Sequence, residues 1–517
     1  MIWLLLTALS AATFAQPAIP PVKTEQGMVS GIESAAGVRV YRGIPFSAPP
    51  TGDLRWRPPQ PAAAWTGVRS AIKSGAVCVQ EPRPDRPGPA NEMSEDCLFL
   101  NVWAPASAAK APVMVWIHGG AFRYGAGSWP YYDGTALARR GVVVVTINYR
   151  LGDFGYFAHP LLSRQAKGEP LGNYGLMDQI AALKWVNRNI AAFGGDTKNI
   201  TIFGESAGGS SVLHLMTSPD ARGLFHKAIS QSGGGGGNGR HLRESYPGRP
   251  SLESNGEALA ADLAASAADP IGAMRSIPAK EFLRKAVEAR SKRGERAQIG
   301  AYGPVVDGRL VPDNPKAIFD AGKQARVPLL LGSNSFEGSL MQSFGTPAES
   351  VLALFETILP KARKLYETET HGDNKLLAGR LYGDSIFVLP ARQLAATHSK
   401  HQRKTYLYHF SYVAEKRRAT APGAAHGSDV LYVFGTLGVP ELANLFTDAD
   451  REMAEKILAY WTHFAKTAEP AGKDLPSWPA YDPRKDELLE LGEQIRVVAR
   501  LRSEQLALIE SRGEARR

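Results

Sequence analysis

Apolar residues along this chain fall into two kinds of segment. Val113-Met114-Val115-Trp116-Ile117 and Val142 through Ile147 are short unbroken apolar runs, the pattern of strands buried on both faces. Leu98 through Trp103 (ended by Pro105), Asn199 through Phe203, Pro328 through Gly332 and Thr405 through Phe410 predict further strands. Met177 through Phe193 repeats its apolar positions at helical spacing and stops at Gly194-Gly195. Ser251 through Glu288 predicts two or more helices, and Ala454 through Thr467 a late amphipathic one. Gly27 through Phe46 alternates around glycines, as an N-terminal antiparallel hairpin would. Strands alternating with helices imply fold class α/β: a large, mostly parallel sheet covered by helices on both faces. No internal repeat or linker divides the chain, so one large domain with inserted helices is expected. The run Gly233 through Gly237 reads as flexible by composition.

Composition sharpens this picture only modestly. A 517-residue chain that is 44% hydrophobic has ample apolar surface for a large core. The net charge of +10 is scattered, with short clusters such as Arg240-His241-Leu242-Arg243 and Lys416-Arg417-Arg418. No basic stripe interleaved with aromatics accompanies them, so no nucleic-acid partner is expected. Met1 through Ala15 reads as a signal peptide, although no Lys or Arg precedes its apolar run. No second run of spanning length follows, so the mature chain should be exported without a membrane span. Its only two cysteines, Cys78 and Cys97, lie close in sequence, and in an exported chain that invites a disulfide around Val79–Asp96.

The chemistry concentrates where a strand pattern meets a helix pattern, at Gly204-Glu205-Ser206-Ala207-Gly208. Strand, tight glycine-flanked turn and helix make a Gly-x-Ser-x-Gly sequence meaningful, because the turn holds the serine exposed at its apex. A serine hydroxyl needs a base to take its proton, a carboxylate to orient that base, and N–H donors facing the oxyanion. Gly119-Gly120-Ala121-Phe122, directly after a buried strand, offers such donors at Gly120 and Ala121, with Ala207 adding a third.

With those segments in view, the chain resembles the type B carboxylesterase family, the cholinesterase-like branch of the α/β-hydrolases. The likeness rests on His118-Gly-Gly-Ala-Phe122, Ser94-Glu-Asp-Cys-Leu-Phe-Leu-Asn101, Gly204-Glu-Ser-Ala-Gly-Gly209 and Gly303-Pro-Val-Val-Asp-Gly308, in order. It spans nearly the whole mature chain, so residues 22–510 are expected to form a single α/β-hydrolase domain. The resemblance implies that Ser206 is the nucleophile, that the acid in Gly332-Ser-Asn-Ser-Phe-Glu-Gly338 is Glu337, and that the base in Ala424-Ala-His-Gly-Ser-Asp429 is His426. Glu205 and Asp429 match acids that stand behind the family's triad, and Cys78 and Cys97 match its disulfide. Asp307 is the competing acid, but no buried strand precedes it. Among 11 histidines, five precede Glu337 and break the family's Ser, acid, His order. His371, His398 and His401 read as solvated surface, and His409 and His463 as packing residues.

Ala121 departs from the third glycine of many members, and the resulting Gly-Gly-Ala form resembles the variant linked with bulky alcohol esters. The glycine run after Gln231-Ser232 lies near where the family shapes its acyl pocket, which should widen it. The expected function is hydrolysis of small-molecule carboxylic esters through an acyl-enzyme, with no cofactor or metal. Amide or carbamate cleavage at the same site, or a non-catalytic binding role on the same fold, are the rivals. The natural substrate and the oligomeric state stay open at this level.

Overall fold

The computed structural model describes residues 19–81, 92–166, 168–235, 239–295, 300–402 and 404–514. The expected signal peptide, Met1–Ala15, lies outside them, as do Gly236 and Gly237 of the glycine run.

The framework is an eleven-stranded sheet. Its strands are β1 (Ile32–Glu33), β2 (Val38–Pro45), β3 (Phe99–Pro105), β4 (Ala111–Ile117), β5 (Val143–Ile147), β6 (Gly195–Glu205), β7 (Lys227–Gln231), β8 (Leu329–Asn334), β9 (Thr405–Phe410), β10 (Glu487–Leu491) and β11 (Ile495–Ala499). They lie in the order β11-β10-β9-β8-β7-β6-β4-β5-β3-β2-β1. From β5 through β4 and β6 to β10 every neighbouring pair is parallel. Antiparallel pairs close both edges, β1 with β2, β2 with β3 and β3 with β5 on one side and β10 with β11 on the other. The predicted N-terminal hairpin is therefore narrower than expected. β1 and β2 form it, while Met28–Ser30 leaves to pair with Val22–Lys23 and Val68–Ser70.

The alternation along β4 shows why its unbroken apolar run is needed. Val113, Val115 and Ile117 enter the core cluster on one face of the sheet, and Met114 and Trp116 enter the cluster on the other. The first cluster includes residues of α1 (Tyr174–Asn189), α2 (Ala207–Thr217), α3 (Leu252–Ala264), α4 (Pro270–Ser276) and α5 (Ala279–Lys292). Farther along come α6 (Asn374–Gly383), α7 (Leu389–Ser399), α8 (Asp429–Phe434), α9 (Asp448–Thr467) and α10 (Ser503–Glu514). Residues of α8 and α9 build the second cluster. Between α6 and α7 the helix widens into one π-turn, Asp384–Val388. Cys78 and Cys97 are joined as a disulfide. Among the described residues no helix is long and apolar enough to cross a membrane.

The parallel strands all run the same way, so the segments leaving their carboxyl ends gather along one rim, where open α/β sheets carry their sites. The loops after β4, β6, β7, β8 and β9 meet there.

Candidate active site

Ser206 occupies the tight turn between β6 and α2, with φ 57° and ψ −122°. A non-glycine residue in such a conformation costs of order 1–3 kcal/mol and persists only where packing dictates it. Here the packing is tight: a Cβ on Gly208 would lie 1.9 Å from the Ile117 carbonyl oxygen at the end of β4. The Ser206 N–H donates to the Gln231 carbonyl at 2.9 Å, tying the turn to the end of β7. The side chain is left half-buried.

His426 and Glu337 approach it from the loops beyond β9 and β8. His426 Nε2 lies 2.8 Å from Ser206 Oγ, and His426 Nδ1 lies 2.5 Å from Glu337 Oε2. The other Glu337 oxygen accepts from the Asn334 N–H at 2.7 Å and from Ser232 Oγ at 2.6 Å. With every such contact satisfied, the carboxylate is only 1% exposed. The His426 N–H donates to Ser339 Oγ at 2.8 Å, and the ring packs against Phe387 with centroids 5.1 Å apart.

Two further acids flank this line. Glu205 Oε1 sits 3.2 Å from His426 Nε2, on the serine side of the ring. Asp429 stands behind it. It accepts from Gln231 Nε2 at 2.7 Å and from Asn334 Nδ2 at 3.1 Å, and Trp461 Nε1 donates to the same Gln231. Burial alone would push the His426 pKa down, but the Glu205 and Glu337 carboxylates outweigh it and lift it to about 9.

The loop after β4 faces the serine. Gly120, Ala121 and Phe122 all take positive φ values, 106°, 55° and 58°. A Cβ on Gly119 would stand 3.1 Å from Ser206 Cβ, which measures how closely loop and serine approach. Among the described residues nothing accepts a hydrogen bond from the N–H groups of Gly120, Ala121 or Ala207. Beneath them His118 stacks on Tyr149 at 4.4 Å, and burial pushes its pKa down to about 4.

Comparison with known proteins gives the family. The sequence pattern of the carboxylesterase family matches residues 18–509. The chain belongs to the carboxylesterase family. A fumonisin B1 esterase of Sphingopyxis macrogoltabida is 36% identical over 490 residues, covering 91% of this chain and 86% of that one. A para-nitrobenzyl esterase of Bacillus subtilis (strain 168) is 36% identical over 509 residues, covering 95% and 99%. A solved PNB esterase structure superimposes with a TM-score of 0.80 at 33% identity, over 95% of this chain and 99% of that chain. This carboxylesterase thus has the α/β-hydrolase fold and is a serine ester hydrolase.

Other residues singled out in the sequence occupy varied settings in the carboxylesterase structure. Asp307, the competing acid, is occupied in a turn, accepting from the Arg309 and Val311 N–H groups and from Asn173 Nδ2. His398, read as solvated, is fully buried, with Nε2 2.9 Å from the Val327 carbonyl and Nδ1 3.1 Å from Gln324 Nε2. Its polar sequence neighbours Thr397 and Ser399 stand on other faces of α7, so local composition misled. His463 is half-buried, its Nδ1 2.7 Å from the Glu469 carbonyl. Two members of the glycine run, Gly233 and Gly235, are closely packed. A Cβ on Gly233 would fall 2.2 Å from Ser230 Oγ, and one on Gly235 2.7 Å from Pro390 Cβ. Ser232, Asn334 and Ser339 escaped notice because lone serines and asparagines carry no signal without their partners. The one available hint was that Ser232 and Asn334 stand just past and at the end of a strand, whereas Ser339 opens a short helix.

Proposed function

We propose that this carboxylesterase cleaves small-molecule esters through Ser206, His426 and Glu337, by way of an acyl-enzyme. The observation that carries the reading is the unbroken line of contacts from Glu337 through His426 to Ser206. In the first half-reaction His426 Nε2 takes the Ser206 proton as Oγ attacks the ester carbonyl carbon. Glu337 orients the ring and balances the imidazolium charge. The N–H groups of Gly120, Ala121 and Ala207 receive the oxyanion, each such donor contributing about 10²–10³ in rate. His426 then protonates the leaving alcohol, and in the second half-reaction it activates water to release the acid.

Glu205 is assigned to stabilising the imidazolium, and Asp429 to fixing Gln231 and Asn334, which in turn hold the turn and the acid. The reading includes tolerance of esters of bulky alcohols, because Ala121 replaces a third glycine and a para-nitrobenzyl esterase is among the relatives. The same attack on amides or carbamates is the second reading, and its poorer leaving group makes it the slower one. We propose further that the protein is exported, which the disulfide supports.

The test is steady-state hydrolysis of p-nitrophenyl esters from C2 to C12 by the wild type and by Ser206→Ala. The expected result is a rapid burst of p-nitrophenol equal to the enzyme concentration, and a loss of at least ~10⁴-fold in kcat in the variant. A folded Ser206→Ala protein that keeps its activity would remove Ser206 from the mechanism.

A further inference from the structure

The helix α6 and its π-turn make contacts with the two loops that carry Glu337 and His426. The Cα of Gly379 would lie only 2.3 Å from a Cβ on Gly338, so the acid loop lies directly on this helix with no space between. One turn on, a Cβ on Gly383 would stand 3.1 Å from Glu337 Cβ. Arg380, on the same helix, reaches over both loops. Its guanidinium donates to the Ser335 carbonyl through Nη1, and through Nη2 to the Pro422 carbonyl at 2.6 Å. Ser335 stands two residues before Glu337, and Pro422 four before His426. The same guanidinium lies 5.2 Å from the ring centre of Phe336, the residue between Ser335 and Glu337.

Arg380 is itself held from behind. Its Nε lies 3.0 Å from Glu369, which also accepts from Arg502 Nη1 at 2.9 Å. Arg502 Nη2 donates at 2.7 Å to Asp384, the first residue of the π-turn, and Tyr366 donates to the same carboxylate at 2.7 Å. That π-turn ends just past Phe387, the ring packed on His426. π-turns are rare and recur at functional sites. Four charged side chains, three from residues 369–384 and the fourth Arg502, thus connect the start of α10 to the backs of both loops.

We propose that Arg380 is a positioning residue for the hydrolytic reaction: its forked guanidinium fixes the acid loop and the histidine loop relative to each other and so sets the Glu337–His426 distance. The Glu369–Arg502–Asp384 chain keeps the fork in place. The inference rests on the triad reading above. A planar fork with fixed N–H directions suits two divergent carbonyls, whereas a lysine ammonium or a shorter amide satisfies one of them.

The test uses full-length wild type, Arg380→Gln, Arg380→Lys and Ser206→Ala, with rates normalised to burst amplitude. In Arg380→Gln, kcat per active site falls about tenfold or more, since small misplacements near the chemistry carry such penalties. KM changes little, because Arg380 does not face the ester. The acid limb of the kcat/KM profile also moves to lower pH, because a longer Glu337–His426 contact holds the imidazolium less firmly. Arg380→Lys falls between the two. A purely structural role would lower the melting temperature and leave the limb where it is. If Arg380→Gln fails to fold, Arg380→Lys carries the test, because it keeps a cation beside Glu369 but releases one carbonyl. A folded variant with the wild-type kcat and limb overturns the proposal. Activity retained by Ser206→Ala would instead overturn the triad reading beneath it.

Discussion

Glu205→Gln is the sharpest probe of the electrostatics around His426. The change keeps shape and removes one negative charge 3.2 Å from Nε2, on a residue that is 6% exposed. At an effective dielectric of ~20, unit charges at that separation interact by about 5 kcal/mol, an upper bound near four pH units at 1.36 kcal/mol each. Relaxation and the remaining Glu337 charge reduce this, so the acid limb should fall from about 9 by roughly one to three units. The sign follows from the chemistry: the base must be neutral, and losing an anion destabilises the imidazolium. The same anion stabilises the imidazolium that forms as Ser206 is deprotonated. Its removal therefore lowers the plateau above the limb by a comparable factor. Below pH ~7 the two losses offset each other, and the profiles should lie within a few-fold. The assay is kcat/KM for p-nitrophenyl butyrate across pH 5.5–10.5 at constant ionic strength, with spontaneous hydrolysis subtracted. A limb that stays in place, or a profile scaled down uniformly at every pH, would refute the assignment of Glu205 to charge stabilisation.

Two structural perturbations test the frame around the site. Opening the Cys78–Cys97 link, whose residues are 19 apart, should cost about 3 kcal/mol through the entropy returned to the unfolded chain. Thermal unfolding of Cys78→Ala/Cys97→Ala should show it, and a melting temperature equal to that of the wild type would contradict it. Gly208→Ala places a methyl 1.9 Å from the Ile117 carbonyl oxygen, so the Ser206 turn must move. Soluble Gly208→Ala protein should therefore lose its burst, and a full burst amplitude would show that the turn tolerates the methyl.

Local features of this protein were legible in the sequence because their causes are local. An unbroken apolar run makes β4 a strand wherever both faces of a sheet are covered, and a serine between closely spaced glycines at a strand–helix junction marks the turn at Ser206. Glu337 and His426 could be located by their motifs and chain order, since the loops carrying them leave strand ends that the topology brings to one rim. Tertiary structure decided what depends on partners distant in the chain. His398 sits among polar neighbours in sequence, yet one face of α7 turns it inward to Val327 and Gln324. The glycines at 233 and 235 look flexible in composition, but they are small because Ser230 and Pro390 leave no room for a side chain. Asp429 matches an acid standing behind the family's triad, but only the fold shows that Gln231 and Asn334 are what it binds. Arg380 carries no motif at all. Its position over both loops exists only once residues 335, 369, 422 and 502 have been folded together, because hydrogen bonds and ion pairs act over a few ångströms of space and not along the sequence.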